Sequence, residues 1–344
     1  MKWRLLLAVI LGLSVSHVAT FAQRPPDAER LSTSRASPEL DAFFSSSGVV
    51  RFQLIQGRLG LNPLLHRKGA QQRQTDDAFE SITVTADRGI PSLHYVLKQS
   101  MTRSSLSLSS LSKNPAHHIT LSVDDATEVK IESEFTHTAE RSVLQQPEFG
   151  TIQWQVTRGD LQESYTGTTL FHVRLQNPSV FDLHYADLTS RVLRGKSIGE
   201  LSDQIQAAIL SGRTNLPEVT LDQVAKCVEQ LRSPRHGVRM SAQQQLLNWG
   251  TPIIPMLQQM FATDLDFEQR VRMIKTIQLL RPRVEDTPRS LAMLVVNDRE
   301  FWSLTQSRLN QYEWIAVNQH LQQVGLSELQ QEGSSFIQVA SQPR

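Results

Sequence analysis

A chain of 344 residues is long enough for two domains of ordinary size, each burying its own core. Hydrophobic residues at 39% and charged residues at 20% fit a soluble globular protein. Thirty-five basic residues against 34 acidic ones leave a formal net charge of +1, so bulk electrostatics provide no pull toward nucleic acid or an anionic membrane surface.

Residues 1–22 have the anatomy of a secretory signal peptide. Lys2 and Arg4 form a charged start, residues 5–15 an apolar run too short for a comfortable membrane span, and Thr20, Phe21 and Ala22 a small-x-small cleavage site. Export to the periplasm or the extracellular space is the expectation, with no membrane insertion once the signal is cleaved. The single cysteine, Cys227, excludes an internal disulfide, so stability must come from packing. Its place on the apolar side of a predicted helix makes it a small buried hydrophobe. Residues 23–47, rich in Arg, Pro, Ser and Asp, read as a flexible linker with one helical turn near the Leu40, Phe43 and Phe44 cluster.

Residues 48–195 change character to short runs of Val, Ile, Thr, Phe and Tyr, a β-rich domain. Strands are predicted at 49–56, 81–86, 92–98, 104–111, 118–123, 128–135, 151–157 and 168–176. Turn signals such as Asp87-Arg88-Gly89, Asn114-Pro115 and Asn177-Pro178 separate them. In the run 81–86, Ile82 and Val84 share one face and Ser81, Thr83 and Thr85 the other, the pattern of a sheet with one face in the core and one in water. The Gln- and Arg-rich stretch 59–77 is expected to be a long exposed loop.

A connecting helix occupies 196–219. It starts with a capping pattern at Ser197 and Glu200, presents Leu201, Ile205, Ala208 and Ile209 at helical spacing, and stops at Gly212. Residues 220–330 then read as a helical domain. Thr220 and Gln223 make a capping pattern before Val224, Val228 and Leu231; Ser233-Pro234 breaks the chain; a second helix with Val238, Ala242, Leu246 and Trp249 ends at Gly250. Ile253, Ile254, Leu257, Met260 and Phe261 mark a third. Asp266 and Gln269 cap a fourth, whose buried face is expected to carry Phe267, Val271, Ile274 and Ile277.

Ser233-Pro234, Arg239, Ala242, Leu246, Gly250, Pro255, Leu257, Asp266, Glu268, Arg270 and Arg272 together resemble the HEAT-repeat type of helical hairpin found in exported bacterial proteins. The likeness covers about residues 220–281. It implies that Asp266, Arg270 and Arg239 tie neighbouring units together. Residues 242–250 and 317–325 share Gln, Leu and Gly at equivalent places, which marks 288–325 as a diverged second unit. A Ser- and Gln-rich tail, 331–344, carries one short strand at 336–339. The expected fold class is α+β: an N-terminal antiparallel β sandwich or rolled sheet followed by a small HEAT-like α-helical array.

Motifs for chemistry are sparse. His94, His117, His118, His137, His172 and His184 fall in the β region, where a cluster with Asp124, Asp125 or Glu132 would suit zinc or copper, yet no HExxH or other metal spacing occurs. Ser110 and Lys113 fit S-x-x-K, but in a period-2 run that directs them to opposite faces. Arg158-Gly159-Asp160 is accounted for by a hairpin turn. No catalytic residue, cofactor or metal is assigned. The reading is a non-catalytic protein–protein interaction or scaffold protein with a protein partner, and no nucleic-acid partner. Its contact residues are Phe301, Trp302 and Trp314 in the long segment of the second helical unit. The alternatives are an enzyme or metal-binding protein with its site in the β domain, and a carbohydrate-binding module.

Overall fold

The computed structural model describes residues 49–75, 78–99, 117–211, 219–282 and 284–330, all within the compact unit Ser37–Arg344. The leader and linker, the strand at 104–111, the Ser110 and Lys113 pair, the helix stop at Gly212 and the tail lie outside the described residues.

Ten strands are described: β1 (Val50–Ile55), β2 (Arg58–His66), β3 (Gly69–Gln74), β4 (Ala78–Asp87), β5 (Ile90–Gln99), β6 (His117–Asp124), β7 (Glu128–Phe135), β8 (Glu140–Gln146), β9 (Ile152–Arg158) and β10 (Leu161–Gly167). Strands β3 to β10 form one eight-stranded sheet in chain order, every neighbour antiparallel. The register lines up Ile82, Tyr95, Leu121, Ile131, Leu144 and Trp154 across six strands, and none of these side chains is more than 1% exposed. One residue along, Thr83, His94, Ser122, Lys130, Gln145 and Gln153 form the matching row of the solvent face. Period-2 alternation therefore sorts the sheet into a dry face and a wet one.

The dry face is covered by two elements. Strands β1 and β2 form a separate hairpin, with β2 packed on β5 and β7. Gln56 and Gly57 both have positive φ, 56° and 69°, the type I′ geometry that matches strand twist. A Cβ on Gly57 would lie 2.8 Å from the Thr169 side chain, so glycine is required there by space as well as by conformation. The second cover is helix α2 (Pro178–Val192), preceded by the short α1 (Leu170–Gln176); α2 packs on β1 and β7.

The α+β class, with an antiparallel sheet followed by helices, is as expected, but several elements differ. Residues 59–77 are not an exposed loop: most of them belong to β2 and β3. The polar composition misleads because β3 is the sheet edge, largely exposed, and backbone ladder bonds hold it without an apolar face. Strand β10, at the opposite edge, also forms without a predicted run for the same reason; the interior β8 shows only Val143 and Leu144 as apolar residues between polar ones. The predicted strand at 168–176 is instead α1, because Thr169 accepts the His172 N–H and caps a helix.

Helix α3 (Ile198–Ser211) follows Ser197, whose hydroxyl accepts the Gly199 and Glu200 N–H groups at 3.1 and 3.4 Å. Helices α4 (Leu221–Gln230), α5 (His236–Trp249), α6 (Ile254–Met260) and α7 (Phe267–Leu280) come next, with both expected capping boxes formed, Thr220 with Gln223 and Asp266 with Gln269. They share a core of their own that includes Val224, Cys227, Leu246, Leu257, Met273 and Ile277. Burial pushes the Cys227 thiol pKa up. Phe267 and Val271 do not face that core: Phe267 is 81% exposed, and the inward face of α7 is Gln269, Met273, Thr276 and Ile277. Gln269 turns inward because its side chain, besides closing the cap, donates to the Val228 carbonyl at 3.0 Å. Asp266 serves its own helix, whereas Arg239 reaches Glu268 at 3.5 Å and Arg270 lies over the Phe261 ring.

The last helices, α8 (Pro288–Val295), α9 (Arg299–Thr305) and α10 (Gln311–Gln323), do not extend that core. Leu291, Leu294, Phe301, Trp302, Val317 and Leu321 join the core of the sheet, with α8 against α3 and α9 against α1. Among the described residues no helix is long and apolar enough to cross a membrane.

At the corner between β10 and α1, a Cβ on Gly167 would lie 2.5 Å from the His172 Cβ and 3.2 Å from the Val173 nitrogen. Gly167→Ala is expected to destabilise the protein by roughly 1–3 kcal/mol through overpacking. Gly237→Ala, in α5 with nothing within 4 Å of the added Cβ, is expected to cost nothing and to stabilise by up to about 1 kcal/mol. Urea unfolding of the two variants beside the parent checks both.

Candidate functional site

The three residues expected to form a partner surface do not form one. Phe301 and Trp302 are buried, the Trp302 indole N–H donating to the Val296 carbonyl at 2.8 Å and the Phe301 ring lying edge-on to His172 and Trp302. Only Trp314 is half-exposed. Aromatic side chains in a short helix that caps a core are consumed by packing. The histidines divide as well: His94 and His137 are exposed and His118 half-buried, while His117, His172 and His184 enter buried polar clusters.

A narrow polar cleft, with about 20 Å³ of internal space, lies between the β1–β2 hairpin and the helical array. Arg58, Gln146 and Glu148 come from the β half, Gln258, Gln278 and Arg281 from the helices. Arg58 follows the hairpin turn and is buried. Its Nη1 donates to the carbonyls of Gly150 at 2.9 Å and Thr168 at 3.0 Å, and its Nη2 to the carbonyl of Pro147. Gln146 locks the floor: its Oε1 accepts the Leu59 N–H at 3.0 Å, and its Nε2 donates to the Leu59 and Thr127 carbonyls. Gln258 accepts the Gly150 N–H from across the seam. Among the described residues neither Arg58 nor Arg281 has a carboxylate within ion-pairing distance.

Charge in the cleft is out of balance. Burial, with Arg281 adding repulsion, lowers the Arg58 pKa to about 9; the group stays cationic at neutral pH. Burial also lowers Arg281, with Glu148 pulling the other way. Glu148 is raised by burial, Arg281 opposing. Two guanidiniums thus face one half-buried carboxylate. Sequence reasoning missed this site, since no spacing links residue 58 to residue 281; the nearest signal was a charged residue directly after a hairpin turn flanked by Leu54, Ile55, Leu59 and Leu61.

A second cluster lies sealed under α2. Ser133 Oγ sits 2.7 Å from His117 Nε2 and 2.8 Å from His184 Nδ1, and His184 Nε2 is 3.2 Å from Glu140 Oε1, which accepts Arg158 Nε at 2.7 Å. The order hydroxyl, imidazole, carboxylate has the makings of a nucleophile relay. Ser133 is 1% exposed, however, and its hydroxyl is shared between two rings, so no substrate carbonyl reaches it. The cluster pins α2 to the sheet. Burial, reinforced by His184, lowers the His117 pKa to about 4, and burial lowers His184 despite the neighbouring Glu140.

A third cluster joins the two halves of the main core. Asp298 caps α9, its Oδ1 accepting the Glu300 and Phe301 N–H groups, while its Oδ2 lies 3.2 Å from His172 Nε2 on α1. Glu300 is close by and half-buried. Comparison with protein-family models, curated proteins and solved structures gives no match.

A histidine whose folded pKa lies below its unfolded value binds fewer protons folded than unfolded. Its contribution to stability is complete above the unfolded pKa and is lost as pH falls toward the folded one. For His117 that window runs from 6.5 down to about 4 and is worth on the order of 3 kcal/mol. Thermal melts between pH 7 and pH 4.5 should show the midpoint falling, and falling less in His117→Gln, which keeps a hydrogen-bonding group for Ser133 but does not titrate.

Proposed function

We propose that the protein is an exported, non-catalytic binding protein that holds a carboxylate of a protein partner in the cleft between the sheet and the helical array. The observation that carries this reading is the pair of desolvated guanidiniums, Arg58 and Arg281, which open on one cleft whose lining holds a single carboxylate, Glu148, too far from either to form an ion pair. A buried cation is costly unless something pairs with it, and the planar fork of an arginine matches a carboxylate. Arg58 is held by three backbone carbonyls; among the described residues no side-chain hydrogen bond holds the half-buried Arg281. With about 20 Å³ of internal space, the cleft has room for a single small polar group at its mouth rather than for a folded surface. Its lining holds no histidine, serine or cysteine, which favours binding over nucleophilic chemistry. Export rests on the leader pattern of residues 1–22.

Calorimetric titration with an acetylated di-glutamate peptide tests the reading. Binding is expected to fall at least tenfold in Arg281→Gln, about 1.4 kcal/mol, with the fold unchanged, and to weaken with added salt. Equal binding by parent and variant would remove the cleft from the interaction.

A further inference from the structure

We propose that His172, Asp298 and Glu300 form a binding site for a divalent transition-metal ion of the zinc type, held between α1 and α9. One ligand atom from each of the three lies within 4.8 Å of the others. The residues come from elements 126 positions apart in the chain, His172 in the first turn of α1 and Asp298 and Glu300 at the start of α9.

Two features set this cluster apart from an ordinary buried ion pair. The first is that both facing atoms are orphaned. His172 Nε2 and Asp298 Oδ2 are buried and stand 3.2 Å apart as an ion pair, yet neither meets the geometry of a hydrogen bond. A buried polar atom without a hydrogen bond calls for an explanation, and an ion is one. The side chains are 0% and 4% exposed, so bulk water does not fill the need.

The second is that the surroundings orient each ligand as a metal site does. His172 Nδ1 lies 2.8 Å from Thr169 Oγ1; with the hydroxyl accepting, Nδ1 carries the proton and Nε2 presents its lone pair to a metal, and an outer hydroxyl or carbonyl of this kind is the usual arrangement. Asp298 uses Oδ1 for two backbone N–H groups and presents Oδ2 alone. Zinc bonds to nitrogen and oxygen of about 2.0–2.1 Å give a tetrahedral edge of about 3.3 Å, close to the 3.2 Å between Nε2 and Oδ2. The half-buried Glu300 completes the set of three protein ligands, and a water would supply the fourth.

Charge points the same way. The site holds two carboxylates for one imidazole, and a dication between them would satisfy both. A mixed nitrogen and oxygen donor set suits zinc over calcium or magnesium.

The test uses the full chain, purified without a histidine tag and stripped with a chelator, titrated with Zn²⁺ and with Co²⁺. One equivalent of Zn²⁺ is expected to bind and raise the melting temperature. Co²⁺ should show the intense visible bands of a four-coordinate site, and Glu300→Gln and His172→Asn should each bind at least tenfold more weakly. Should His172→Asn fail to fold, Glu300→Gln and the Co²⁺ spectrum carry the test. Absence of stoichiometric binding would leave a buried imidazole–carboxylate pair and overturn the proposal. So would undiminished binding in Glu300→Gln, which would place the metal elsewhere.

Discussion

The structure depends on one constraint, that an eight-stranded antiparallel meander with a single apolar face must have that face covered. Sequential antiparallel pairing puts the row from Ile82 through Tyr95, Leu121, Ile131 and Leu144 to Trp154 on one side, and leaving such a row in water would forfeit the burial that stabilises the fold. The β1–β2 hairpin and α2 provide the cover. Their placement brings polar groups with them. Trp154 donates its indole N–H to Ser142, which contacts the Tyr185 hydroxyl at 2.6 Å, and Ser133 is bracketed by His117 and His184. These inward polar residues stand where the sheet's apolar row gives way to its end, and each finds its partner on α2 or on a neighbouring strand.

Covering the sheet also decides how the helical half is arranged. Helices α4 to α7 keep a core of their own. Helices α8 to α10 return to the sheet's core, so the chain leaves the main core and comes back to it. The loop that brings it back is tied to the β half by hydrogen bonds: the Asp286 N–H donates to the Leu54 carbonyl at 2.8 Å, and Asp286 Oδ2 accepts the Gly57 N–H at 2.8 Å. Glu285 meets Arg51, Arg194 and Lys196 beside it. The cleft lined by Arg58 and Arg281 lies at this junction, where two cores meet imperfectly and backbone carbonyls rather than carboxylates hold the buried charge. It is a property of the junction, not of either half.

The two candidate sites differ in physical kind. The cleft is open, cationic and short of an anion; the His172, Asp298 and Glu300 cluster is closed, anionic and short of a cation. Each lies between elements distant in the chain, where burial has removed the water that would otherwise satisfy the charges.

Much of the architecture was readable from the amino acids. Period-2 alternation of Ile82, Val84 and their neighbours, the capping residues Thr220 and Asp266, and the break at Ser233-Pro234 are local signals, set by interactions within a few residues, and they survived in the folded chain. Edge strands β3 and β10 were not readable, because ladder hydrogen bonds leave no mark on side-chain composition. The direction of Phe267 was misjudged because helical spacing defines a stripe but not which stripe meets a neighbour. Phe301 and Trp302 looked like a surface in the sequence and became interior once α9 met α1. The sites were the least readable of all. Arg58 gains meaning only beside Arg281, and His172 only beside Asp298 and Glu300; such pairs arise from register, helix docking and desolvation. Sequence by itself determined local elements and their polarity, since those depend on neighbours in the chain. Tertiary structure alone decided which polar groups would be buried together, since charge and burial act through space.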